Sequence, residues 1–197
     1  MKESTRNKLL RWVYPLIARV TRCSFVAKYP LLYFPYCRLF RRQNPPPVLP
    51  WSLPDANTDL VIEEAGACGN HSLAAYFKAH NPDRNVATLT HGAAPVRYAA
   101  KHGIPCIVLT RDIFGYVEST TTRMPHLYTR QLAVRVYTAF LLQIQDVLGN
   151  VLVVRLHELA NPQRIIARIN HKYWTTYNEG DGDILHIRGL PTDVEGA

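Results

Sequence analysis

Only one acidic side chain, Glu3, stands in the first 42 residues, against ten lysines and arginines. That leaves thirteen basic and fourteen acidic side chains for the rest of the chain, so the formal charge of +8 belongs to an N-terminal arm and the body is near neutral. No two of the four cysteines (Cys23, Cys37, Cys68, Cys106) form a CxxC or any metal-ligand spacing. A disulfide framework and a metal centre are therefore not expected, and free thiols suit a reducing compartment. No apolar run approaches the roughly 20 residues that a membrane-spanning helix needs. The longest uncharged run of the arm is YPLLYFPYC, and charges interrupt the N-terminus before a secretory signal could form. The expected location is cytoplasmic. With 47% hydrophobic and 19% charged residues, the composition is that of a folded domain.

What is present divides the chain into four parts. Residues 1–43 form the basic arm, in which Trp12, Tyr14, Phe25, Tyr33 and Phe34 alternate with cations. Its prolines exclude one unbroken helix. The arm either packs on the domain with a solvated basic face or docks on an anionic membrane surface, such as the inner membrane face. None of the nucleic-acid recognition motifs occurs, so a nucleic-acid partner is not expected. Residues 44–58, with NPPPVLPWSLP, read as a stiff extended linker. Residues 59–178 form the domain, and 179–197, rich in Gly and Asp, a loosely ordered tail.

Within the domain, four short apolar runs alternate with helical segments: DLVIEEA, NVATLTH, IPCIVLTR and VLVVRL. Between the last two, Val134, Tyr137, Leu141, Ile144 and Leu148 predict one helical stripe. Strands apolar on both faces, alternating with helices, imply a parallel sheet in a three-layer α/β domain. Ligands of such sheets bind beyond the carboxyl ends of the strands. The residues found there are Gly66 to Ser72, Thr90-His91, Arg111-Asp112 and His157-Glu158.

Spacing narrows the reading. Arg111 ends the third strand and Ser119 follows eight residues later, which resembles the 3′-phosphate motif of the sulfotransferase family. TLTH resembles that family's Thr-His segment, and VLVVRLHELANP its late strand before a Pro-led helix. GACGNHSLAAYF is similar to the phosphosulfate loop and helix of the bacterial branch. The resemblance covers about residues 59–173. It implies a P-loop nucleoside-triphosphate-hydrolase-like fold with 3′-phosphoadenosine 5′-phosphosulfate as co-substrate. It further implies binding by Ala67, Cys68, Gly69, Asn70, His71, Ser72, Arg111 and Ser119, with His91 as catalytic base. The acceptor would be a hydroxyl or amine of a carbohydrate, lipid or small molecule, and no metal is implied.

One departure stands out. The family's loop Lys or Arg would fall on Ala67, or on Gly69 in a shifted register. His71, protonated, is the expected catalytic substitute, with Arg97 and Arg123 as alternatives. Backbone N–H groups and a helix N-terminus can still bind an anion. The missing cation leaves a second reading, a non-catalytic nucleotide-binding or membrane-peripheral scaffold of the same fold. A nucleotide kinase is disfavoured because GxxxxGK[ST] is absent. Each residue also has a plainer role. Arg111 can pair with Asp112 or Glu118, Ser119 can be a surface serine, and His91 can bond backbone. His71 can be an ordinary first-turn residue and Cys68 a small turn residue. His157 and Glu158 can organise the loop beneath the site.

Overall fold

The computed structural model describes residues 25–40, 49 and 51–181. The segments 1–24, 41–48 and 182–197, and with them most of the arm, part of the linker and most of the tail, lie outside the described residues.

Four strands form one parallel sheet in the order β2-β1-β3-β4. They are β1 (Leu60–Glu64), β2 (Val86–Thr88), β3 (Cys106–Thr110) and β4 (Leu152–Arg155). The helices are α1 (Pro30–Phe40), α2 (Asn70–His80), α3 (Ala93–His102), α4 (Ile113–Arg123), α5 (Arg130–Ile144) and α6 (Pro162–Tyr173). β1 is flanked by β2 and β3, with Ile62 opposite both Thr88 and Ile107. α2 packs against α6 in one layer, while α3, α4 and α5 pack together in the other. The expected three-layer parallel architecture is thus present.

The core follows from the apolar runs. All five residues of β1 and four of five in β3 are buried. β4 departs from expectation: it is an edge strand with only Val154 buried, so its apolar run serves one face. The stripe expected on α5 is also rotated. Leu132, Ala133, Val136, Tyr137, Phe140 and Ile144 face inward, and Val134 is exposed. Ala133 and Phe140 join the buried core, with α5 packed on α3 and α4, and Leu148 falls in a 3₁₀ turn beyond the helix.

The linker does not hang free where it is described. Trp51 and Pro54 are buried, and Ser52 runs along β2, its N–H donating to the Thr88 carbonyl at 3.0 Å. The Ser52 hydroxyl donates to the Val86 carbonyl at 2.8 Å. Within the arm, α1 forms despite Pro35 and lays Tyr33, Phe34 and Cys37 into a small core with Trp51, Leu89 and Ala94. Its other face leaves Leu31, Leu32 and Leu39 exposed.

Candidate functional site

The carboxyl end of β1 is unusual for a central strand, because Glu63 and Glu64 are both buried there. Each holds a loop through backbone donors. Glu63 Oε1 accepts from the Thr90 N–H (3.0 Å) and hydroxyl (2.7 Å), and its Oε2 from the His91 N–H (2.9 Å). These bonds fix the loop after β2, where Leu89 and His91 adopt left-handed φ of 64° and 53°. Residues in that region persist where surrounding contacts over-determine them. A further support comes from the arm: the Tyr33 hydroxyl donates to the Thr90 carbonyl at 2.8 Å. The Tyr33 ring fills the space where a Cβ on Gly92 would sit, at 2.5 Å.

Glu64 Oε2 accepts from the N–H groups of Cys68 at 2.7 Å and Asn70 at 3.2 Å. The loop that the sequence marks as phosphate-binding therefore curls around a carboxylate of its own strand. Gly66, Ala67 and Gly69 all take left-handed φ (120°, 54° and 91°), and the loop bends so that the Cys68 and Asn70 N–H groups meet on Glu64 Oε2. Leu156 and Leu159, from the segment after β4, lie over Gly69, where a Cβ would meet Leu159 Cδ1 at 2.4 Å. Burial pushes the Glu64 carboxyl up to about 7, opposed by the two N–H donors, raised further by Glu63 and lowered by Arg123. Glu64 Oε1 stands 3.6 Å from His91 Nδ1, so the pair joins the ends of β1 and β2.

The other expected residues distribute as follows. Asn70, His71 and Ser72 open α2, and the Asn70 Nδ2, buried, has no hydrogen-bond partner among the described residues. Cys68 donates its thiol to the Gly66 carbonyl at 3.2 Å, and burial followed by the nearby Glu64 raises its pKa. It is a turn residue held as a thiol, despite its position before a helix N-terminus. Arg111 lies back over the first turn of α4, since a Cβ on Gly115 would meet its Nε at 2.7 Å and Asp112 Oδ2 at 2.7 Å. Ser119 follows Gly115 by four residues and so shares that helix face with the guanidinium. Asp112 also caps α4, accepting from the Gly115 N–H at 2.7 Å.

Two alternatives resolve differently. Arg97 is engaged by Asp146 through both guanidinium nitrogens and by the Gln143 carbonyl, so it does not serve the loop. Arg123 stands near enough to Glu64 to hold its pKa down. Glu158 accepts from the Arg155 N–H at 2.7 Å and pairs with Arg168, ordering the segment that covers Gly69. His157 is exposed there. A cavity of about 540 Å³ lined by Tyr29, Leu31, Tyr98, Lys101, His102 and Val147 lies elsewhere, beside the segments that lead into β3 and β4.

Sequence reading singled out the loop and His91, gave Glu63 and Glu64 no role, and took Tyr33 only as one of the arm's aromatics. The signal for the two glutamates was available: a pair of carboxylates ends an otherwise apolar central strand, and buried carboxylates need partners. Nothing in the sequence pointed to Tyr33.

The chain matches no family model, no curated protein and no solved structure in comparisons with known proteins. Fold and site therefore define its class by geometry alone: a parallel α/β protein with loops converging on the carboxyl end of its central strand.

Proposed function

We propose that the protein is a sulfotransferase-like enzyme that binds 3′-phosphoadenosine 5′-phosphosulfate and transfers its sulfuryl group to a hydroxyl or amine acceptor. The observation that carries this reading is the approach of buried Glu64 to His91 Nδ1 at 3.6 Å. A carboxylate 3.6 Å from Nδ1 favours the proton on that nitrogen and leaves Nε2 to take the acceptor's proton. The Arg111 guanidinium and Ser119, on one face of α4, suit the nucleotide's 3′-phosphate through bidentate and hydroxyl contacts. The loop from Ala67 to Ser72, which precedes all three in the chain, takes the 5′-phosphosulfate, His71 standing in the first turn of the helix that follows.

The test is titration of 3′-phosphoadenosine 5′-phosphate and adenosine 5′-phosphate into the parent and Arg111→Ala. The variant should lose about 1.5–3 kcal/mol with the first ligand and much less with the second. Equal losses would remove the 3′-phosphate assignment. Turnover of the sulfated donor with a panel of acceptors then decides catalysis.

A second reading, the non-catalytic scaffold, is favoured by one observation: the N–H groups of Cys68 and Asn70 are engaged by Glu64 while neither Ala67 nor Gly69 supplies a cation. Nucleotide binding without turnover in any acceptor would select it. In either case we place the protein at the inner membrane surface, held by the basic arm and the exposed leucines of α1.

A further inference from the structure

The loop after β1 already binds an anion, its own Glu64, through two backbone N–H groups at the start of an eleven-residue helix. An incoming phosphate or sulfate needs those same donors, and two anions at that spot repel. The Asn70 amide, 2% exposed, leaves its Nδ2 in the same turn buried and without a partner among the described residues. This is an unused donor beside an occupied pair, in a loop with no lysine or arginine.

We propose that Glu64 is the loop's resident anion, and that a phosphate- or sulfate-bearing ligand replaces it only as the site takes up a proton. Oε2 of the neutral carboxylic acid then turns from acceptor to donor toward the ligand oxygen, while Oε1 keeps its place beside His91 Nδ1. The loop thus meets ligand charge with a bound proton and the free Asn70 amide where a fixed cation is absent. The inference rests on the nucleotide site proposed above and deepens it.

The groups around Glu64 fit this exchange. Glu63, from the same strand, disfavours a second negative charge, while Arg123 of α4 favours it. His91, after β2, faces Oε1. His71 stands in the first turn of α2, and the Cys68 thiol stays neutral in the loop. Arg111 and Asp112, after β3, act on the neighbouring Cys68 with opposite signs. Arg97 of α3 is turned to Asp146. Burial holds the Glu64 carboxyl at about 7, so the exchange falls in the neutral range.

The test is calorimetric titration of the full chain and of Glu64→Gln with 3′-phosphoadenosine 5′-phosphate and with inorganic sulfate, between pH 6 and 8.5. Comparing two proteins with one ligand cancels the ligand's own titration. The Glu64→Gln advantage should be small at pH 6 and reach about 30-fold at pH 8.5, as the parent's site loses its proton. Sulfate, which does not titrate in this range, should show the same trend. Should Glu64→Gln fail to fold, the parent is measured in two buffers of different ionisation heat. It should then take up protons beyond those the ligand's phosphates account for.

A constant affinity ratio across pH, or no excess proton uptake, overturns the inference while leaving the nucleotide reading intact. A growing ratio with nucleotide binding no tighter than sulfate supports the exchange and removes the nucleotide. Binding of neither ligand to either protein overturns both.

Discussion

Gly69 meets two constraints together. Its φ of 91° belongs to the region that L side chains avoid, and a Cβ there would strike Leu159 Cδ1 at 2.4 Å. Gly103 shares the left-handed conformation, with φ 67°, but faces open space. Gly103→Ala should therefore cost only the conformational part, about 1–2 kcal/mol. Gly69→Ala should add about 1–3 kcal/mol of overpacking to that. Urea unfolding of both variants measures the difference, and equal losses would mean that the segment over Gly69 yields without cost. At this scale the sequence showed the glycines of the turn. It did not show that Ala67 would adopt φ 54° without being glycine, because that depends on the donors pulled toward Glu64.

Among the elements, α1 has the most to add to the sequence reading. Its inner face holds the loop of His91 through the Tyr33 hydroxyl, while Leu31 is 90% and Leu39 76% exposed on the outer face. Deleting the arm would disturb both, so single substitutions separate them. Tyr33→Phe should lose about 1 kcal/mol of stability, with faster deuterium exchange at the amides of Thr90 and His91. Unchanged exchange would show that Glu63 alone fixes the loop. Leu31→Glu with Leu39→Glu should leave the fold intact and abolish sedimentation with anionic vesicles, since charge on that face opposes both burial and attraction. Vesicle binding that persists would transfer the membrane contact to residues before α1 or remove it from α1 altogether.

For the molecule as a whole, three carboxyls set opposite slopes of stability with pH. Glu64 is raised from 4.5 to about 7, first by burial, so the folded state holds a proton that the unfolded chain has released. Its contribution is complete below the ordinary carboxyl value and falls away as pH rises toward about 7. The loss amounts to roughly 3 kcal/mol across that window. Asp146 is lowered to about 2, chiefly by its hydrogen bond from Arg97. Glu158 is lowered by the Arg155 N–H and by Arg168, against the opposing effect of burial. These two contribute above the ordinary value and are lost as acid protonates them. From these three groups, stability should fall as pH rises toward about 7 and again in acid. Urea midpoints from pH 3 to 8 should show this, and Glu64→Gln should flatten the neutral limb while keeping the acid limb. An unchanged neutral limb in Glu64→Gln would assign that slope to other groups.

The order of strands and helices was readable from the chain because periodicity and capping are local: β1, β3 and α6 fall where apolar runs and Pro162 put them. Local pattern also located the loops that converge on the site, since strand ends are polar where strands are not. It could not orient α5, whose inward face is set by the helices α3 and α4 it packs on and not by its own best stripe. Nor could it pair Glu64 with His91, or Tyr33 with Thr90, residues 27 and 57 positions apart. In the sequence Glu63 and Glu64 are two charges at a strand's end. Only packing, by taking them out of water and surrounding them with backbone donors, made one the anchor of the His91 loop and the other an anion inside the loop that the sequence offered to a phosphate.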